Sequence, residues 1–320
     1  MTCSCPQCQQ QSPLQFQAHD INQRSSAEIF NYYRCPNCGL LFLRPIPPDL
    51  SRYYSRDYYS VPPSLETLVA SAQSQGPRME TVQRFVPSGR LLEIGSSYGG
   101  FAYLAKQSGY EVDVIEMDAD CCHFLNTVAG IRAINSSHPS EALTSLGRYD
   151  AVVMWQVIEH LPDPWSVLAA IAGHLTPGGI LALAAPNPKS LQFRLFGRRW
   201  AHLDAPRHLQ LIPIPLLLER AKHLGLKPLL VTTNDRESIK TNIYGWKKSL
   251  MNLLGVGVSQ QPEAAFEVTI KPSLSFRYLV TRGILRTGVF FLSTVFSPIE
   301  YTGLRGTSYT LVLQKGRDVS

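Results

Sequence analysis

No stretch of 18 or more uncharged apolar residues occurs in the 320-residue chain, so an ordinary membrane-spanning helix is not expected. Met1-Thr2-Cys3-Ser4-Cys5 lacks the basic region and apolar stretch of a secretory leader, and the expectation is a cytoplasmic chain. Charge is sparse at 17%, while apolar residues reach 44%. That balance excludes a disordered or collagen-like chain and leaves material for a sizeable core. The dinucleotide fingerprint G-x-G-x-x-G is also missing where the first central strand should end.

What charge there is falls unevenly. Residues 1–90 carry 8 basic and 6 acidic side chains, residues 91–190 carry 4 and 10, and residues 191–320 carry 18 and 8. An acidic middle and a basic last third predict different ligands for the two. The basic third suits nucleic acid, an anionic membrane surface or an acidic substrate.

Five of the seven cysteines lie in the first 38 residues, and Cys121 and Cys122 are adjacent. Without an export leader, the first cluster points to metal ligation, with redox thiols as the other reading. Cys5-Pro6-Gln7-Cys8 and Cys35-Pro36-Asn37-Cys38 are two knuckles with 26 residues between them. Together Cys5, Cys8, Cys35 and Cys38 complete a closed tetrahedral site, the geometry of structural zinc. Cys3 is a spare thiol that could replace Cys5, although the CPxC pattern favours Cys5. A module of about 45 residues has little core of its own, so the metal would supply missing stability. Short strands are expected at 14–16 and 29–34.

Pro45, Pro47 and Pro48 close this module, and Tyr53, Tyr54, Tyr58 and Tyr59 follow. Such rings can stack on bases, or pack as a linker or lid against the next domain.

From Pro87 onward apolar runs alternate with helical patterns. Strands are expected at 90–95, 111–116, 131–134, 149–155 and 179–185, with helices at 99–108, 119–128, 138–146 and 164–174. Further strands fall at 227–232 and 307–314. This is a βαβ series, hence an α/β fold with a mostly parallel sheet and helices on both faces. The first strand runs into Leu91-Leu92-Glu93-Ile94-Gly95-Ser96-Ser97-Tyr98-Gly99, an acid-x-Gly-x-small-x-Gly pattern. Glu116 ends the second strand, 21 positions beyond Gly95, where a carboxylate can accept both hydroxyls of a ribose.

These motifs, with Tyr149–Pro164 (YDAVVMWQVIEHLPDP) and Leu175-Thr176-Pro177-Gly178-Gly179, resemble a class I S-adenosylmethionine (SAM)-dependent methyltransferase. The whole chain resembles a bacterial branch, of the type 11/23 kind, that begins with a four-cysteine zinc ribbon. In it a tyrosine-rich linker follows CPxCG, and a tryptophan and Pro-x-His-Leu come later; here these are Trp200 and Pro206–Leu209. The resemblance implies a Rossmann-like seven-stranded sheet, a small N-terminal zinc ribbon and a helical insertion before the last strand. It implies segments 1–45 for the ribbon, 46–86 for linker and lead-in helix, 87–235 for the SAM-binding core, 236–306 for the insertion and 307–320 for the final strand and tail.

Carried over, Glu93, Gly95, Ser97 and Gly99 would shape the loop around the methionine half of SAM. Ser97 stands where the family usually has glycine. Glu116 would hold the ribose, Met117 would lie against adenine, and Trp155 and Gln156 would border cofactor and acceptor. Asn135 stands where many relatives have an acid. Methyl transfer from a sulfonium is a displacement in which the enzyme aligns partners and excludes water. Where the acceptor needs a base, His208 and His160 are the candidates. Glu159-His160 resembles part of an acid-acid-His metal element, but Gln156 replaces its first acid.

In the basic third, Ile243–Leu254 and 274–296 flank a loop at 260–263. This stretch, 243–296, reads either as helices covering the sheet or a dimer face, or as a peripheral contact with a membrane surface. Three functions remain: methylation of a small-molecule or lipid-linked acceptor, an RNA methyltransferase, and a SAM-binding or zinc scaffold without catalysis. The Asn/Asp-Pro-Pro-aromatic tetrapeptide of amino-directed nucleic-acid methyltransferases is absent at strand four, where Met154-Trp155-Gln156-Val157 stands. Acceptor identity and oligomeric state are not encoded in any motif.

Overall fold

The computed structural model describes residues 1–54, 61–255 and 276–316, with the side chains of 276–287 and 290 outside the description. Tyr58, Tyr59 and the loop at 260–263 lie outside the described residues. Among those described, the strands in chain order are β1 (Thr2–Ser4), β2 (Gln11–Ala18), β3 (Phe30–Arg34), β4 (Leu41–Leu43), β5 (Gly89–Ile94), β6 (Tyr110–Glu116), β7 (Arg132–Asn135), β8 (Tyr149–Trp155), β9 (Leu175–Pro186), β10 (Gln210–Leu211), β11 (Leu226–Thr232) and β12 (Ser308–Lys315). The chain forms two compact units. The first comprises Met1–Tyr58, Pro186–Leu216 and Thr232–Tyr309, the second Tyr59–Ala185, Leu217–Val231 and Thr310–Ser320.

The first unit is built on a sheet of order β1-β2-β3-β4-β10. Along β2, Ser12, Leu14, Phe16 and Ala18 are each less exposed than the residues beside them, the period of two that a strand requires. The two cysteine knuckles occupy the β1–β2 and β3–β4 turns, and the turns have matching hydrogen bonds. Cys5 N–H donates to the Gln10 carbonyl and Gln9 N–H to the Cys5 carbonyl; Cys35 N–H donates to Leu40 and Gly39 N–H to Cys35. Gln9 and Gly39 take the same left-handed conformation, at φ 60° and 76°. The core of this unit joins Tyr32, Leu41 and Leu43 to Phe193, Trp200, Leu203 and Leu209, so ribbon strands share one interior with a much later stretch of chain.

In the second unit seven strands follow the order β11-β12-β9-β8-β5-β6-β7. Pairs β5–β6, β6–β7, β5–β8 and β8–β9 are parallel. The order reverses between β5 and β8, and ligands in such sheets bind beyond the carboxyl ends of the strands at this point. The expected central strands therefore all appear. β9 starts earlier than expected, at Leu175, because Thr176–Gly179 forms an irregularity between the Tyr149–Leu175 and Ala151–Ile180 pairs rather than a separate turn. Leu91, Ala151, Val153, Ile180 and Ala182 pack with Met79, Phe101 and Ala105. Val114 joins Leu68, Phe124 and Leu125 in a second cluster.

Several helices carry side-chain N-caps. Ser64 accepts from Thr67 N–H, Asp163 from Trp165 and Ser166, and Asp235 from Glu237 and Ser238. The Asp235 cap starts the insertion's first helix at Arg236, earlier than the apolar pattern at 243 suggests. The second helix covers Phe276–Tyr301. No helix among the described residues is long and apolar enough to cross a membrane.

Candidate functional site

The loop after β5 is held in a conformation few residues adopt. Gly95, Ser97 and Gly99 all have positive φ, at 72°, 54° and 86°. A Cβ on Gly95 would lie 2.6 Å from Val157 Cγ2, so both backbone angle and space require glycine there. Ser97 meets the same angle without being glycine. It pays about 1 kcal/mol for the left-handed region. Ser97→Gly is therefore expected to raise stability by about 1 kcal/mol, read as a shifted urea midpoint; an unchanged or lower midpoint would show that the hydroxyl compensates.

Two carboxylates stand at the ends of adjacent strands. Glu116 is buried, its Oε2 accepting from Ser97 N–H at 2.7 Å and its Oε1 from Asp118 N–H at 3.0 Å. Burial pushes its carboxyl up despite these donors. Glu93 is also buried, and its Oε2 has no hydrogen-bond partner among the described residues. Burial raises Glu93 to about 8, against the lowering by the Arg78 charge and the Ala102 N–H. An unsatisfied buried carboxylate is costly unless a ligand completes it. Met117 is exposed (47%), and Asn135 Nδ2 ties its carbonyl and that of Glu116 to β7, so Asn135 braces the strand exit.

Trp155 ends β8 with its ring against Phe101 at 5.5 Å and its Nε1 without a partner among the described residues. Gln156 follows at φ 57°, its N–H donating to Ala184. The sequence reading missed Arg78, whose guanidinium lies 5.4 Å from the Trp155 ring centre. It also missed that Tyr98 packs against the cluster that holds Leu68. Both involve the lead-in helices, Leu65–Ala72 and Gly76–Gln83, which carry no spacing motif.

At the knuckles the thiols of Cys5, Cys8, Cys35 and Cys38 lie within 4.8 Å of one another. Cys5 and Cys38 Sγ are 3.7 Å apart, Cys8 and Cys35 Sγ 3.4 Å. A zinc tetrahedron with bonds of about 2.3 Å has edges of about 3.8 Å, so the residues fit that ion. The Cys3 thiol is outside the group and lies 3.8 Å from the Ser4 carbonyl. Burial opposes ionising Cys35, but the Cys38 and Asn37 N–H groups and the Cys8 thiol outweigh it and bring Cys35 down to about 6. Cys38 moves up through burial and the adjacent Cys35 and Cys5 sulfurs. Four thiolates at this spacing need a cation among them.

The two histidines lie in different units. His160 closes a short 3-10 turn, Ile158–His160, in the second. His208, in the first, is buried, with Nδ1 2.8 Å from the His202 carbonyl. A carbonyl only accepts, so Nδ1 carries the proton and Nε2 is the basic atom. Burial lowers the His208 pKa, and the imidazole is neutral at pH 7. Its neighbour Arg207 is fully buried between two carboxylates, donating to Asp204 at 2.8 and 2.9 Å and to Asp20 at 2.7 and 3.3 Å. Trp200 is buried too, its indole donating to Thr307 at 2.8 Å. The Trp and Pro-x-His-Leu elements thus anchor the first unit. Asp20 and Asp204 left no pattern that sequence reading could find.

A family model described as "Methyltransferase domain" matches residues 72–231, half of the chain. A ubiquinone biosynthesis O-methyltransferase of Bordetella avium is 28% identical over 165 residues, 47% of this chain and 68% of that protein. One of Cereibacter sphaeroides is 28% identical over 171 residues, 50% of this chain and 67% of that protein. A SAM-dependent methyltransferase structure from Archaeoglobus fulgidus superposes with a TM-score of 0.46 at 17% identity, covering 75% of this chain and 94% of that one.

Proposed function

The chain belongs to the methyltransferase domain family, and we propose that it moves a methyl group from SAM to an oxygen of a small-molecule or lipid-linked acceptor, with zinc holding the four cysteines. The observation that carries this reading is the pair of buried carboxylates, Glu93 and Glu116, beside a left-handed glycine loop at the switch point of the sheet. The oxygen acceptor follows the names of the matched relatives.

The bound cofactor supplies a methyl group activated by a sulfonium. Glu116 accepts the ribose hydroxyls, and Met117 offers its thioether to adenine. The Gly95–Gly99 backbone turns aside to admit the methionine portion. Glu116, and Glu93 once a cation draws it into its ionised form, give this end of the sheet a negative field. Trp155, Gln156 and Arg78 border the site and exclude water. Where the acceptor must lose a proton, His208 and His160 stay the two candidates for the base.

Glu93 gives the test. At pH 7 a carboxyl near 8 is mostly protonated, and a neighbouring cation favours the ionised form. SAM binding is therefore expected to release close to one proton from Glu93. Affinity should rise with pH up to about 8 and then level. Calorimetry in buffers of different ionisation enthalpy reads the proton directly, and Glu93→Gln should silence it. Equal heats in all buffers would remove this role for Glu93; absence of SAM binding would remove the cofactor site itself.

Phe291, Val295 and Ile299, four residues apart on the last helix, are exposed (61%, 49% and 39%) and support a peripheral membrane contact for a lipid-linked acceptor. Flotation with anionic vesicles is expected, and Phe291→Asp should abolish it. A wild-type protein that never floats rules the contact out.

A further inference from the structure

A groove of about 630 Å³ opens within the first unit. It is lined by Phe16 of β2, Arg34 of β3, and Pro188, Lys189, Phe193 and Arg194 around the helix Leu191–Phe196. The lining has three cations and no acid. The Arg34 guanidinium lies 5.4 Å from the centre of the Phe193 ring, and Phe16 meets the same ring at 6.1 Å. A carbonyl, Pro188, accepts a long bond of 3.5 Å from Arg34. Neither Arg34, Lys189 nor Arg194 has an ion-pair partner among the described residues.

Arg207 gives the contrast inside the same unit, since its burial is matched by two carboxylates. Arg34 is half-buried, and no acid stands among the residues that line the groove beside it. A half-buried guanidinium against an aromatic face, with two more cations lining the same groove, calls for an anion that no described residue supplies. The phenyl rings offer an apolar bed next to that charge.

We propose that this groove binds an organic anion. Its carboxylate or phosphate is held by Arg34, Lys189 and Arg194, and its apolar body, an aromatic ring or an isoprenoid chain, lies on Phe16 and Phe193. The proposal rests on the first unit alone and holds whether or not this anion is the methyl acceptor.

The test is calorimetric titration of the full-length protein with farnesyl monophosphate, 3-phenylpropanoate, farnesol and inorganic phosphate. At least one of the first two is expected to bind ten or more times tighter than farnesol or phosphate. The tighter of the two tells an isoprenoid phosphate from a small aromatic acid. Arg34→Gln and Arg194→Gln are each expected to weaken it about tenfold. Arg34 adjoins Cys35, so Arg194→Gln, on an exposed position, separates lost binding from a disturbed knuckle. S-adenosylhomocysteine binding should be unchanged in both variants. Farnesol binding as tightly as its phosphate, no binding of either organic anion, or unchanged affinity in a Lys189→Gln/Arg194→Gln double variant overturns the proposal.

Discussion

Cys35→Ser is expected to empty the four-cysteine site and to lower the melting temperature by roughly 10 °C or more. A structural zinc contributes about 10–16 kcal/mol to a small folded module at neutral pH. Losing about 4 kcal/mol of that moves the midpoint of a unit this size by roughly 10 °C. The damage should not stay in the turn. Tyr32 of β3 and Leu41 and Leu43 of β4 sit in one core with Phe193, Trp200 and Leu209. The β3–β4 turn is the one that Cys35 and Cys38 close. Loosening it should expose Trp200, now fully buried, and shift its fluorescence to the red. Cys3→Ser is the matched control, expected to keep one zinc per chain and the parent midpoint, because its thiol lies outside the group. The idea fails if the purified parent holds no zinc and a chelator leaves its melting curve unmoved.

The same knuckles show how far the sequence could be read. The CPxC spacing favours Cys5 over Cys3 because ligand geometry is a local property of short turns, and the fold is what leaves Cys3 outside the group of four thiols. The βαβ periodicity locates the central strands for a similar reason, since each buries a continuous apolar run. It does not show that β4 pairs with Gln210–Leu211, nearly 170 positions later, because two residues leave no periodicity. Nor does it show Arg207 clasping Asp20 and Asp204. A single acid in a loop is indistinguishable from a solvated one until the fold brings a partner to it. The places of Glu93 and Glu116 near the ends of β5 and β6 were legible because each sits at a fixed offset within its strand. Arg78 was not, as its place beside Trp155 depends on how a lead-in helix packs.

Glu116→Ala is expected to weaken S-adenosylhomocysteine binding about 100-fold or more. Two hydroxyls donating to one carboxylate are charge-assisted bonds, each contributing about 1.5–3 kcal/mol, and their joint loss amounts to at least 100-fold. A second effect adds to this. Glu116 accepts from the N–H groups of Ser97 and Asp118, so alanine leaves both donors unmatched and frees the loop that Ser97 holds in a left-handed turn. Glu116→Gln separates the two contributions. Its remaining carbonyl oxygen can accept one N–H, but its amide nitrogen cannot accept anything, so it should retain part of the loop and little of the ribose affinity. The expected order of dissociation constants is therefore parent, then Gln, then Ala. The melting temperature should fall by only a few degrees, because β6 keeps its apolar pairs with β5 and β7. Binding in both variants within threefold of the parent would mean that the ribose is held elsewhere, and Glu116 would then be a brace for the loop alone.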